Sequence, residues 1–278
     1  MGEDTVKLHE VAATPDGEQL SVHHWRPEGP ARGVLFYIHG IQSHAGWLFE
    51  SGPRLAELGV EVVVPDRRGS GASSGPRGHL GSVEAVLDDY ARTLASVRTQ
   101  FPDLPLTVVG QSFGGSILAA LVSSGRVAAD RLVFCAPALG QQRSRHGNGD
   151  ALSAIRAGGG RATAPVPLTD EQYTDQPAYL DFMANDRLML RQTTLSTRAA
   201  MVGIEDVYMR GGPWSPADRE VYFVWPETDD IIDLPASWRV LAGLHDGVKR
   251  IDIEDSRHYV EFSPARFGYW DWLGGIAV

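Results

Sequence analysis

The residues best suited to chemistry lie in a short glycine-rich run, Gly110-Gln111-Ser112-Phe113-Gly114-Gly115. It follows an apolar stretch and precedes a run of small, helix-compatible residues. This is G-x-S-x-G in the strand-turn-helix setting that presents a serine as a nucleophile. Gly110 and Gly114 supply clearance on the tight turn, and the helix that follows directs its positive end at the site. A serine hydroxyl is a weak nucleophile at neutral pH. It needs a base to take its proton and an acid to orient that base. Both partners should follow the serine, acid first, on loops after later strands. After the apolar run 221–224 comes Glu227-Thr228-Asp229-Asp230-Ile231-Ile232-Asp233, and after a run ending at Ile253 comes Asp255-Ser256-Arg257-His258. His258 is the last of nine histidines and stands where the base is required. Asp229, Asp230 and Asp233 are all within reach of the acid role. Asp229, earliest after the strand, is preferred, which leaves the others to be solvated or to cap a helix beginning near Pro235.

Acyl transfer through such a serine also needs two backbone N–H groups aimed at the developing oxyanion. Phe113, the residue after the serine, should supply one. The other should come from the loop after the apolar run 34–38, His39-Gly40-Ile41-Gln42, with Ile41 as the donor and Gly40 letting the chain turn sharply. His39 reads as a loop-supporting residue rather than a second base. Gly40, Trp47 and Leu48 are candidates for binding the acyl group, together with apolar residues of the central region such as Tyr179, Phe182, Met183 and Met189.

These residues need a scaffold. Segments 6–12 and 20–25 alternate weakly around Pro15-Asp16-Gly17 and read as an opening hairpin. The run 34–38 is continuously apolar, as a strand covered on both faces requires, and further strands are read at 60–64, 106–109, 131–136, 221–224 and 248–253. Helical spacing at 47–58, 83–101 and 116–122, with a last helix within 264–273, gives the alternation of a mostly parallel sheet with helices on both faces. Between about 139 and 218 the rhythm breaks. Gly147, Gly149, the triple Gly158-Gly159-Gly160 and a Pro165/Pro167 pair precede helical stretches at 179–190 and 193–202. The expectation is a core of residues 1–138 and 219–278 with a mainly helical cap, 139–218, inserted over the sheet.

Composition excludes several classes. The 278 residues carry 25 Lys+Arg against 35 Asp+Glu, a net charge of −10, and no basic block, which disfavours nucleic acid. Apart from Lys7 and Lys249 every basic residue is arginine, and four of these, Arg143, Arg145, Arg156 and Arg161, fall in the first half of the inserted stretch. The single cysteine, Cys135, can form no internal disulfide and reads as a small buried side chain. The N-terminus shows no signal pattern and no apolar run is long enough to span a bilayer. A soluble cytoplasmic protein without stable membrane insertion is expected, and its oligomeric state stays open.

The motifs resemble the α/β-hydrolase superfamily, and within it the monoacylglycerol lipase and lysophospholipase-like branch. Residues 39–46, HGIQSHAG, are similar to that branch's HG-x-x-x-H oxyanion loop. Residues 66–75, DRRGSGASSG, resemble its D-x-r-G-x-G-x-S-x-G loop, residues 110–115 its G-H-S-x-G-G elbow, and residues 135–139 its s-P-a-l strand exit. Asn185-Asp186-Arg187-Leu188 resembles an N-D-p-l found in the cap. The resemblance implies a triad of Ser112, Asp229 and His258, with Asp229 and Asp233 fitting D-x-x-x-D, a lid-like cap over the acyl pocket, and no metal or cofactor. Two departures stand out. Gln111 occupies the place of the usual histidine, and Trp225-Pro226 stands where the acid-bearing strand would end in glycine.

The expected activity is hydrolysis of a carboxylic ester or thioester through an acyl-enzyme on Ser112. The same acyl-enzyme could pass its acyl group to another acceptor, as in an acyltransferase or cyclase. A non-catalytic ligand-binding module on this fold would have lost a member of the Ser-Asp-His set, and none is missing. The arginines of the inserted stretch would either be solvated or meet a carboxylate or phosphate on the substrate.

Overall fold

A computed structural model describes residues 6–147, 152–153, 160–214 and 219–278. Its centre is an eight-stranded sheet. β1 (Val6–Ala13) and β2 (Gln19–Arg26) form the expected antiparallel hairpin, and β2 also runs antiparallel to β4 (Val60–Pro65). From β4 the sheet is parallel through β3 (Gly33–Ile38), β5 (Leu106–Gln111), β6 (Arg131–Cys135), β9 (Glu220–Pro226) and β10 (Val248–Ile253).

All six residues of β3, β4 and β5 are buried, which is why these strands read as mainly apolar, with Glu61, Thr107 and Gln111 as the buried polar exceptions. The pleat still divides them between two cores. Val34, Phe36 and Ile38 pack on one face, Leu35 and Tyr37 on the other. β10 closes the sheet with partly or fully exposed residues, among them Lys249, Arg250 and Asp252, and a charged edge of this kind resists pairing with another chain.

The chain leaves β3 toward β4 on one side and returns to β5 on the other. At such a switch point the loops after the two strands diverge and leave a crevice at their carboxyl ends. The loop after β3 carries His39 to Gln42, and β5 runs directly into Ser112 and the helix Phe113–Ser123.

Two local readings change. The helix expected over 47–58 is a 3-10 turn, Ala45–Leu48, followed by a short helix, Ser51–Glu57. Pro53 is the reason: its ring would clash with the carbonyl at residue 49 if one helix ran through both. The stretch between β6 and β9 holds helices Gln142–His146, Pro177–Asn185 and Leu195–Gly211, and also a two-stranded antiparallel sheet, β7 (Thr163–Pro165) with β8 (Gln192–Thr194). That pairing joins segments far apart in sequence, and no local periodicity announces it. Gly149, Gly158, Gly159 and Arg156 lie outside the described residues.

Candidate active site

Ser112 sits at φ 53°, ψ −118°, a backbone conformation that residues with a side chain rarely adopt. Its own hydrogen bonds hold it there. Its N–H donates to the Cys135 carbonyl at 3.0 Å, and its carbonyl accepts from Gly115 at 2.9 Å and Ala138 at 3.0 Å. A Cβ at Gly114 would lie 1.9 Å from the Ile38 carbonyl oxygen, and one at Gly110 would lie 2.7 Å from that of Gly114. The glycines of G-x-S-x-G are thus required by close approach of backbone to backbone, and strain of about 1–3 kcal/mol is concentrated on the serine.

His258 is fully buried, with its Nδ1 2.7 Å from Asp229 Oδ2. The other Asp229 oxygen accepts the N–H groups of Ile231 and Ile232, each at 2.8 Å. The structure separates the three aspartates of this loop. Asp230 reaches outward to Arg257 at 3.3 Å, and Asp233 caps the helix Leu234–Leu244 by accepting the Ala236 N–H at 2.8 Å. Next to Ser112 in the chain, Gln111 turns its amide to His258 Nε2 at 3.3 Å. With Nδ1–H given to Asp229, Nε2 is left as an acceptor, and the Gln111 amide donates to it. Gln111 therefore holds the free imidazole in the tautomer that leaves a lone pair on Nε2.

The loop after β3 is shaped by Arg67, which is buried and donates to the carbonyls of His39 at 3.3 Å, Gly40 at 3.1 Å and Ile41 at 3.0 Å. In a trans peptide the C=O and N–H point in opposite directions. Fixing the Gly40 carbonyl on Arg67 therefore turns the Ile41 N–H to the other side. Phe113 opens its helix, so its N–H has no carbonyl a turn earlier to bond. Ile41, Phe113 and Ser112 line one cavity of about 360 Å³, whose apolar walls include Val166, Leu168, Met201 and Ile232. This volume is at the lower end for small-molecule sites.

Three of the expected binding residues do not face this cavity. Trp47 is 1% exposed, stacks on Phe262 and gives its indole N–H to Asp186 at 2.8 Å, while Leu48 is wholly buried in the core cluster on the opposite face of the sheet. Neither offers surface to an acyl chain. Gly40 does not make its turn through a positive φ. A Cβ there would come within 2.6 Å of Gln111 Oε1, so any side chain would push the Gln111 amide aside.

The loop after β3 is also tied to the inserted stretch. Tyr173 donates to Gln42 Oε1 at 2.7 Å, the Gln42 amide donates to the Leu190 carbonyl at 2.8 Å, and Asp186 Oδ2 meets His44 Nε2 at 2.9 Å. Two sequence motifs that looked independent, His44 of the β3 loop and the Asn185-Asp186 pair, are thus two halves of one contact. Gln42, Arg67 and Tyr173 carried no signal of their own in the sequence, since a polar residue that braces a loop is not distinguished by spacing.

His39 supports the same loop as a neutral group. Its Nδ1 lies 2.8 Å from the Gly40 carbonyl, and its Nε2 accepts the Arg67 backbone N–H at 3.0 Å. Burial, and then the Arg67 charge, push its pKa down to about 3, against an opposing pull from Asp66. The unfolded chain, with an ordinary histidine near 6.5, takes up the proton first as pH falls. The contribution of His39 to stability is therefore complete above about pH 6.5 and is lost toward pH 3, at a limiting slope of about 1.4 kcal/mol per pH unit. A pH series of thermal midpoints should fall more steeply between pH 6.5 and 4 for the wild type than for His39→Gln, whose side-chain carbonyl can accept from Arg67 without titrating. Parallel profiles would rule out this role.

The sequence profile of Hydrolase_4, described as serine aminopeptidase S33, matches residues 29–261. The chain is 34% identical over 94 residues to a monoacylglycerol lipase of Mycolicibacterium smegmatis, covering 34% of each, and 29% identical over 102 residues to the monoglyceride lipase of Mus musculus, covering 37% of this chain and 34% of that one. The aligned part spans about a third of the length of these relatives. In fold, the chain is similar to a soluble variant of monoglyceride lipase from Saccharomyces cerevisiae bound to a substrate analog, with TM-score 0.83 and 15% identity over 99% of this chain and 96% of that one. A thermostable carboxyl esterase from Bacillus coagulans superposes with TM-score 0.79 and 18% identity over 98% of this chain and 99% of that one.

Proposed function

Because the chain belongs to the Hydrolase_4 (serine aminopeptidase S33) family of α/β-hydrolases, in its monoacylglycerol lipase-like branch, we propose that it is a serine hydrolase cleaving a carboxylic ester or thioester through an acyl-enzyme on Ser112. The observation that carries this reading is the strained Ser112, at a cavity also lined by Ile41 and Phe113, whose chain neighbour Gln111 meets the oriented His258–Asp229 pair. Residues 1–138 and 219–278 form the catalytic core in this reading, and 139–218 the cap that closes the acyl site.

In the reaction, the substrate carbonyl seats its oxygen between the N–H groups of Ile41 and Phe113. His258 Nε2 exchanges the Gln111 amide for the Ser112 hydroxyl and takes its proton as Oγ attacks the carbonyl carbon. Asp229 stabilises the imidazolium without itself taking the proton. His258 then protonates the departing alcohol or thiol, the C–O or C–S bond breaks, and the acyl group stays on Ser112. A water enters, gives its proton to Nε2 and attacks the acyl-enzyme, and collapse returns the proton to Ser112 Oγ and releases the carboxylic acid. An aminopeptidase substrate fits less well. Its ammonium would need an unpaired carboxylate in the cavity, and the one described carboxylate on the wall, Asp230, is held by Arg257.

A panel of p-nitrophenyl esters of graded length, with an acyl-thioester alongside, tests this directly. Turnover should favour short to medium acyl groups, and in H₂¹⁸O the released acid should carry solvent oxygen. Retention of the acyl group on an added alcohol or amine, without ¹⁸O in the product, would replace hydrolysis with acyl transfer. No turnover together with no labelling by a fluorophosphonate would defeat the serine-nucleophile reading.

A further inference from the structure

Many arginines of this protein are answered by a carboxylate. Arg68 pairs with Asp16 and Asp89, Arg143 with Asp206, Arg191 with Asp170 and Arg257 with Asp230. Such pairing is expected where acidic residues outnumber basic ones, 35 to 25. The two arginines that line the Ser112 cavity, Arg145 and Arg198, are not paired in this way. Among the described residues neither makes an ion pair. Arg145 donates only to neutral oxygens, the Ile231 carbonyl and Gln141 Oε1, and Arg198 only to the Pro165 carbonyl. A guanidinium has five N–H donors, so each keeps several for a ligand.

The nearby acidic groups are already engaged. Asp230, on the same wall, is held by Arg257 at 3.3 Å, and Asp229 spends its oxygens on His258, Ile231 and Ile232. His146 lines the cavity too, and burial together with the charges of Arg198 and Arg145 pushes its pKa down to about 4. It is neutral at pH 7, a hydrogen-bonding group in a region of positive potential. An acyl pocket for an unsubstituted hydrocarbon chain gains nothing from two unanswered guanidinium groups at its wall, Arg145 exposed and Arg198 half-buried, whereas an anionic substituent would meet both there.

We propose that Arg145 and Arg198 form a subsite for an anionic group, carboxylate or phosphate, carried by the ester that Ser112 cleaves. The inference rests on the reading of Ser112 as the nucleophile. It specifies the substrate class within that reading: an ester with a negative charge in reach of the cavity wall, which the guanidinium groups bind by charge-assisted hydrogen bonds.

Two substrate pairs separate the sources of the charge. Mono-p-nitrophenyl esters of glutaric, adipic and suberic acid, against p-nitrophenyl esters of monocarboxylic acids of equal length, place a carboxylate on the acyl side. A 1-acylglycerol 3-phosphate against the matching 1-acylglycerol places a phosphate on the alcohol side. In at least one pair the wild type should favour the anionic member in kcat/KM by about tenfold to a hundredfold, the range expected for one or two hydrogen bonds to a charged group. That ratio should fall about tenfold in Arg145→Gln and in Arg198→Gln, and Arg145→Lys should keep part of it. Fluorophosphonate labelling of Ser112 in each variant shows that the site is still assembled. Preference for the neutral member of both pairs, or ratios unmoved in both glutamine variants, overturns the subsite while leaving the serine hydrolase reading in place. Loss of all turnover and labelling in the wild type overturns both.

Discussion

Ser112→Gly is expected to be inactive and more stable than the wild type. Removing the hydroxyl removes the nucleophile, so kcat should fall by about 10⁴–10⁶, with any residue of activity coming from the oxyanion donors and binding alone. The backbone at this position has φ 53° and ψ −118°, which glycine adopts without steric cost and a residue with a Cβ does not. Relief of that strain is opposed by the extra freedom glycine gives the unfolded chain, about 0.4–1 kcal/mol, which leaves a net gain on the order of 1 kcal/mol. Ser112→Ala should lose activity to the same degree, and fluorophosphonate labelling with it, but keep its Cβ and with it the wild-type stability. Thermal midpoints and ester turnover of the two variants check both halves. Substantial turnover by either would remove Ser112 from the mechanism. Equal midpoints for glycine and alanine would show that the turn carries no strain.

Asp229→Asn should cost about 10⁴ in kcat at neutral pH with little change in stability. The reason lies in what the other carboxylate oxygen does. Oδ1 accepts two backbone N–H groups, from Ile231 and Ile232. An asparagine must keep its carbonyl there, because its NH₂ cannot face two donors. The NH₂ is then turned toward His258 Nδ1, which must accept, and the ring proton moves to Nε2. The base would be held in the tautomer that cannot take the Ser112 proton. Asp233→Asn provides the contrast: asparagine caps a helix about as well as aspartate, so both activity and stability should stay within a few tenths of a kcal/mol of wild type. Steady-state kinetics of the two variants decide it. A comparable loss in Asp233→Asn, or a loss under tenfold in Asp229→Asn, would move the acid role elsewhere on the loop.

The parts legible in the sequence share a physical origin. Strands β3 to β6 and β9 are largely covered on both faces, so they have to be mainly apolar, and a mainly apolar run is visible without knowing what covers it. The turn at Ser112 needs glycine within two residues on either side because carbonyls pass at 1.9 Å and 2.7 Å from where a Cβ would be, and that requirement is written locally. The segment 47–58 departs from its expected single helix because apolar spacing alone does not register that Pro53 interrupts a helix. Trp47 and Leu48 are buried rather than exposed to the cavity for a related reason. A large apolar side chain near a site is equally compatible with lining a pocket and with packing beneath it, and only burial separates the two.

The amino-acid order by itself determined the candidates: one serine on a glycine-bounded turn, one late histidine, three aspartates on a single loop, and a set of arginines in the stretch between β6 and β9. It could do so because nucleophile turns and buried strands impose their requirements on residues adjacent in the chain. Tertiary structure alone decided which aspartate lies against His258, that Arg67 orients the loop after β3, that Asp186 joins His44 across 142 residues, and that two arginines share a cavity with Ser112. Each of these depends on a side chain meeting a group brought to it from elsewhere in the chain, where sequence spacing carries no information about distance.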